Sequence, residues 1–438
     1  MASATTIDSG GINPADLPAL RRRAILACSI GNFFEIFDFT IYGFFAVAIS
    51  RAFFPGGNPT LALINTFATF GVAFLMRPVG AIVIGRYGDR HGRRAALVVT
   101  IALMATATGL TGLIPSYAAI GAWAPVLLLI CRMGQGFSTG GEWGGAAAFL
   151  VEYAEPGKRG ITGAWQQFST QFGAIIGSGL GALLPQWLAP DDFYAWGWRI
   201  PFVLGFVLGP IGYYLRQRVA ETPVFERVVE ERAVSHTPLG TTLTQYFDMV
   251  IFAFGLSAVG PALQYTFNIF LASMVQTQFH VPPSTALWAA SLSLVWLTIL
   301  TPFIGWASDH VGRKVFILLS GAGGLIFAWP LFDMVAGNPT FATLLIAQCI
   351  AMTFLSFYTG VIPSILSEVF PTQIRYTALS VSYGFSVMLF GGFAPLIATR
   401  LVAGTGSPVS PAFFVMFAGL ISVWAILKMP DRFNAPLH

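Results

Sequence analysis

The sequence predicts an all-α integral membrane protein with twelve transmembrane helices in two pseudo-symmetric six-helix bundles. Three observations predict it. Of 438 residues, 55% are hydrophobic and only 10% charged, whereas soluble domains carry about a quarter charged residues. The apolar residues fall in long runs separated by polar connections. A loop motif in the first half returns in the second, as expected of a duplicated bundle.

Hydropathy and Gly/Pro punctuation give spans at 24–50, 61–85, 95–114, 123–150, 161–188, 198–215, 245–273, 285–307, 315–335, 341–364, 376–401 and 411–428. Runs of this length can cross a hydrocarbon layer of ~30 Å at 1.5 Å per residue. An even number of crossings puts both ends on one side, and Lys and Arg should collect on the cytoplasmic side. Arg21 to Arg23, Arg86, Arg90, Arg93, Arg94, Lys158, Arg159, Arg216, Arg313, Lys314, Arg375 and Lys428 fall on the side of the N-terminus, and only Arg51, Arg199 and Arg400 fall opposite. Both termini are therefore predicted cytoplasmic. The run after Arg23 is too long for the core of a secretory signal and lacks a small-residue cleavage site, so the first helix should stay. The longest polar connection then divides the chain: a tail at 1–20, a first bundle at 21–216, an inter-bundle loop at 217–244, a second bundle at 245–430 and a tail at 431–438.

The repeat agrees with this division. Gly85, Asp89, Gly92 and Arg93 return as Gly305, Asp309, Gly312 and Arg313, and Glu152, Pro156 and Arg159 return at nearly the same offset as Glu368, Pro371 and Arg375. Six spans followed by six more, with a site between the halves, describe a secondary transporter. Asp89 stands among arginines, where it can accept from backbone amides at a helix N-terminus and pair with a guanidinium; for Arg90 and Arg94 the rule of positive cytoplasmic loops is sufficient.

Charges inside spans are few. The stretch GNFFEIFDFTIYG, residues 31–43, puts Glu35 and Asp38 in the first span, where a charged carboxylate costs roughly 2.5–3.5 kcal/mol on insertion scales. Asn32, Glu35, Asp38 and Tyr42 lie on one helical face, which must turn towards protein or a wet cavity. The basic residues inside spans are Arg77 and Arg132. Arg132, Gln135, Thr139 and Glu142 share a face of the fourth span, and Arg132 should lie at the depth of Asp38. Asp38 is the first candidate for proton binding, with Glu35 second: burial raises a carboxyl group's proton affinity and a nearby guanidinium lowers it, so a moving Arg132 could link proton to substrate. A permanent Asp38–Arg132 pair that only joins helices is the alternative. Arg77 either receives a substrate carboxylate or neutralises Glu142, and the second reading is favoured because two isolated buried charges each need a partner. Gln167, Gln171, Gln264, Asn268, Tyr358 and Tyr383 are further candidates to line the cavity, though such residues more often make interhelical hydrogen bonds.

The motif G-x3-D-R-x-G-R-R after the second span resembles the signature of the major facilitator superfamily. GNFFEIFDFTIYGF, FLMRPVGA, RMGQGFSTGGEWGGA, WGWRIPF and SEVFPTQIR are similar to its metabolite:proton symporter branch, from about Arg21 to Lys428. Within that branch, FATFGVAFLMRP and FGGFAPLIATRLVAGTG look most like citrate and tricarballylate symporters; relatives carrying ketoglutarate, shikimate, or proline and betaine share most of these residues. The resemblance implies that Asp38 and Arg132 couple protons. It also implies that Gly85, Asp89, Arg90, Gly92, Arg93, Glu152 and Arg159, with the second copy Asp309, Arg313, Glu368 and Arg375, latch the cytoplasmic face.

The expected function is thus proton-coupled uptake of a small carboxylate, citrate-like or dicarboxylate, across an inner membrane, with a proline or betaine carrier as the alternative. The expected partners are that anion, protons and the lipid bilayer, for a monomeric carrier. Cys28, Cys131 and Cys349 show no metal or disulfide spacing, and the five histidines fall in loops or at the terminus. No enzyme constellation, nucleotide loop, metal site, organic cofactor or nucleic-acid partner is expected. A channel or sensor shares only the topology.

Overall fold

The computed structural model describes residues 32–91, 93–140, 143–144, 147, 150–151, 154, 157–217, 242, 244–371 and 374–429. The tails and nearly all of the predicted inter-bundle loop lie outside them. The described chain is helical throughout: α1 (Asn32–Phe44 and Ala46–Phe53, bent by 65°), α2 (Pro59–His91), α3 (Arg93–Leu113), α4 (Trp123–Ser138), α5 (Arg159–Trp187), α6 (Ile200–Gln217), α7 (Phe247–Gln278), α8 (Pro283–Val311), α9 (Lys314–Gly337), α10 (Phe341–Val369), α11 (Thr377–Thr405) and α12 (Pro411–Lys428). Each predicted span has one of these helices, and among the described residues seven are long and apolar enough to cross a membrane, eight if bent α1 counts as one span. Below, "inner" and "outer" denote the sides that the loop charges assign to the cytoplasm and its opposite.

Within the first six helices α2 packs on α4 and α3 on α6; within the last six α8 and α9 pack on α10, and α7 and α9 on α12. The halves meet along α5 against α8, α2 against α11, and the outer arm of α1 against α7. Glycine makes the α2–α4 contact possible. A Cβ on Gly136 would sit 1.8 Å from the Ala73 carbonyl oxygen, so at this position no other residue lets the two backbones touch. That contact sets the register between Arg77 on α2 and Arg132 on α4. Arg199, one of three basic residues predicted on the outer side, has a local reason to be there: its guanidinium donates to the carbonyls of Gly112 (2.8 Å) and Ile114 (2.5 Å) at the end of α3, where a cation also suits the helix dipole.

Three helices of the second half are interrupted where hydropathy predicts continuous spans. In α7, Pro261 supplies no N–H to the Ser257 carbonyl; the helix breaks at Ser257–Ala258, and Tyr358 of α10 donates its hydroxyl to that carbonyl at 3.4 Å. A π-turn, Tyr265–Phe270, follows. In α11, Pro395 cannot bond the Gly391 carbonyl, and the ladder widens into a second π-turn, Met388–Gly392, closed by Phe393 N–H to the Met388 carbonyl at 3.1 Å. In α10 the break at Gly360–Val361 precedes Pro363. Such widened turns recur at functional sites, and both face the other half.

Replacing Gly136 by Ala should cost about 1–3 kcal/mol through overpacking. The expected result is a lowered melting temperature in detergent and reduced transport. Gly179→Ala, with nothing within 4 Å of a new Cβ, should leave both unchanged.

Candidate substrate and proton site

The inner arm of α1 turns Asn32, Glu35, Asp38 and Tyr42 into the core, each at most 4% exposed. Asp38 is held by three side chains. Its Oδ1 accepts from the Thr108 hydroxyl (2.6 Å) and the Gln135 amide (2.6 Å), and its Oδ2 from Arg132 Nη1 (3.1 Å). Arg132 Nη1 also donates to Gln135 Oε1 at 2.7 Å, so the spacing Arg132 to Gln135 builds one closed ring of bonds from a single helical turn. The remaining nitrogens of Arg132, Nε and Nη2, are buried without a hydrogen-bond partner. They lie instead against aromatic faces, with the guanidinium carbon 4.3 Å from the Tyr42 ring centre and 4.9 Å from that of Phe39.

The Glu142 expected as the partner of Arg77 lies outside the described residues, and Arg77 meets a carboxylate that the sequence did not assign to it. Its Nη2 stands 2.9 Å from Glu35 Oε1, one helix away on α1, and its guanidinium lies over Phe39 and Phe74 at 4.6 and 4.4 Å. Glu35 shares its face of α1 with Asp38, so both acids meet the arginines of α2 and α4. The Glu35 contact is an ion pair by distance, yet Arg77 Nη2 and Nε make no hydrogen bond.

The other predicted cavity residues divide. Gln264 donates to Gln171 at 3.3 Å across the two halves, and Gln167 is buried one turn away on α5. Tyr383 stacks on Trp143 at 3.5 Å and 8°, a second bridge between halves. Asn268 instead donates to the Ala290 carbonyl and to Ser293 on α8, and Tyr358 serves the Ser257 carbonyl; both are committed to structure within the second half. Asn32 is buried with neither amide atom bonded.

At the inner end the second copy of the loop motif ties the halves together. Asp309 accepts from the backbone amides of Gly160 (2.7 Å) and Ile161 (3.0 Å), the first turn of α5. Arg313 pairs with Asp309 (3.2 Å) and Glu368 (3.1 Å), and Glu368 with Arg159 (3.5 Å). A Cβ on Gly160 would come within 2.4 Å of the Gly305 carbonyl oxygen, so glycine at 160 is what admits the acid to the amides. Arg375 is buried and donates to the Phe370 carbonyl. Of the first copy, Gly92 and Glu152 lie outside the described residues, and Gly85, Asp89, Arg90 and Arg93 are described only as helical backbone.

The sequence reading missed Thr108 as a ligand of Asp38, and the rings of Phe39, Phe70, Phe74, Trp143 and Tyr265. Phe70 and Phe74 are one turn apart in FATFGVAF, a spacing that could have marked them. Tyr265 follows Gln264 and opens the π-turn, with its ring against Phe70 and Phe74 of the other half.

Family models agree with this architecture. The model for sugar (and other) transporters matches residues 24–236, and that for the major facilitator superfamily matches 249–435. The proline/betaine transporter of Escherichia coli (strain K12) is 36% identical over 95% of this chain and 85% of its own. The chain belongs to the major facilitator superfamily. The citrate-proton symporter of Klebsiella pneumoniae is likewise 36% identical, over 93% of this chain and 92% of its own. Among solved structures, the proton:xylose symporter XylE from E. coli bound to 6-bromo-6-deoxy-D-glucose has the same fold, with a TM-score of 0.76 and 17% identity over 96% of this chain and 98% of that one. As a member of this superfamily the protein is a membrane transporter, and its relatives are transporters rather than enzymes.

Glu368→Gln should weaken the inner latch, because it removes the charge shared by Arg159 and Arg313. A cysteine introduced at Ser380, beside Gly144 at the seam, is expected to react several-fold faster with an impermeant maleimide from the inner side. An unchanged rate would show that the amide bonds to Asp309 hold the seam alone.

Proposed function

We propose that the protein is an inner-membrane, proton-coupled symporter for a zwitterionic osmolyte of the proline or betaine class. This reverses the order expected from sequence, where a citrate-like anion came first. The charge balance of the buried centre carries the reading. Among the described residues, Arg77 and Arg132 each face one carboxylate, Glu35 and Asp38. While Asp38 is ionised, a ligand of zero net charge enters such a centre without changing its balance, whereas a tricarboxylate brings three negative charges that the centre does not match even after Asp38 takes a proton. The relative named for proline and betaine supports the same class. The relative named for citrate supports a second reading, a carboxylate, and both classes present a carboxylate that the unbonded Nε and Nη2 of Arg132 could receive as a fork.

Proton coupling is supported by the geometry of Asp38. Three donors converge on it, the arrangement of an acceptor-only, ionised carboxylate. To take a proton, one of its oxygens must lose a donor. Arg132 Nη1 makes the longest of the three bonds and is the one donor to Oδ2 among the described contacts. A substrate carboxylate that draws Arg132 away through Nε and Nη2 therefore clears Oδ2 for a proton. Substrate and proton each favour the broken pair, so each raises the other's affinity. The latch at Asp309 and Glu368 then opens to release both on the inner side.

Asp38→Asn should still exchange labelled substrate across proteoliposomes but fail to concentrate it on a pH gradient. Accumulation by that variant would defeat the assignment. Arg132→Lys, which swaps a fork for a point charge, should raise KM for proline or betaine by about tenfold or more. Uptake of citrate but not betaine by the unmodified protein would restore the carboxylate reading, and absence of counterflow for either would point to a channel or sensor.

A further inference from the structure

We infer that Phe39, Tyr42, Phe70, Phe74 and Tyr265 form the receptor for the positive end of the substrate, and that the Arg77 guanidinium now occupies the place the substrate's ammonium group takes. The inference rests on the osmolyte reading above. The five rings are one connected cluster. Phe70 lies 5.8 Å from Tyr42, 6.1 Å from Phe39, 5.2 Å from Phe74 and 5.9 Å from Tyr265, and Phe74 lies 4.7 Å from Phe39 and 5.7 Å from Tyr265. All five are buried.

Their faces already hold cations: Arg132 over Tyr42, Phe39 and Phe70, and Arg77 over Phe39 and Phe74. Ring faces attract cations most strongly where water is excluded, and a cage of such rings suits a methylated or ring ammonium. The two guanidinium groups are held differently. Arg132 is held through Nη1 by Asp38 and Gln135, whereas the Arg77 Nη2 nearest Glu35 makes no directed hydrogen bond. Arg77 is thus the cation that can leave the rings, while Arg132, which Gln135 still holds when the substrate draws it from Asp38, meets the carboxylate. A zwitterion entering this way puts its negative end on Arg132 and its positive end on the rings Arg77 vacates. Four of the rings come from α1 and α2 and the fifth from α7, so the cage is complete only when the halves meet.

The test is competition in proteoliposomes between labelled betaine and tert-butylacetate, its isostere with carbon in place of the charged nitrogen. The unmodified protein should prefer betaine by about tenfold or more. Phe74→Leu should raise the KM for betaine by about tenfold while leaving the Ki of tert-butylacetate within about twofold, and Phe74→Trp, which keeps a ring face, should restore the preference. Equal competition in the unmodified protein would overturn the inference, as would a Phe74→Leu variant that weakens both ligands alike, since that is the mark of a packing role. Failure of the unmodified protein to take up betaine or proline would remove the osmolyte reading and the ring receptor together. Betaine uptake without preference over the isostere would remove the receptor alone.

Discussion

A charge that leaves water for the interior of a membrane protein must find its counter-charge there, and this constraint orders the first six helices. Glu35 and Asp38 sit one turn apart on α1, and Arg77 and Arg132 on two different helices. For both pairs to form, α2 and α4 must lie side by side against the same face of α1. The glycine at 136 allows the first condition, and the face formed by Asn32, Glu35, Asp38 and Tyr42 meets the second. The aromatic rings complete the arrangement, because they give the guanidinium groups favourable surroundings without competing for their carboxylates.

The second half solves a different problem by different means. Its spans contribute no ion pair to the centre among the described residues; what they contribute there is irregular backbone. Pro261 and Pro395 each free a carbonyl, and the chain answers with a borrowed hydroxyl from Tyr358 in one case and a widened turn in the other. Irregular backbone at this depth is tolerable only where protein covers it. Tyr265 and Gly392 lie in these widened turns and face the charged half, both against Phe74. At the centre the charges come from one half and the widened turns from the other.

Much of this was legible in sequence, for reasons that differ by element. Helix positions follow from hydropathy because the bilayer sets their length, and α12 begins and ends where the apolar run does, Pro411–Lys428. The Asp38–Arg132 approach could be read from depth alone, since each residue lies near the middle of its span. Depth says nothing about rotation, which is why the Arg77–Glu35 pair was not legible. Tyr358 and Asn268 looked like cavity residues because their polarity is visible and the proline-freed carbonyl or neighbouring helix that each serves is not. Thr108 was overlooked because one hydroxyl in an apolar helix carries no pattern. The broken helices were hidden because hydropathy averages over them.

The seam at the inner end has a consequence for how this family can drift. Asp309 grips the first turn of α5 by two peptide N–H groups, which every residue except proline supplies. On the α5 side this grip has no side-chain identity to conserve; it constrains bulk alone, because Gly160 leaves no room for a Cβ. On the α8 side it constrains a single carboxylate. Two halves of a duplicated chain can therefore diverge widely in side chains and still close on one another, because one partner in the handshake is the peptide backbone itself.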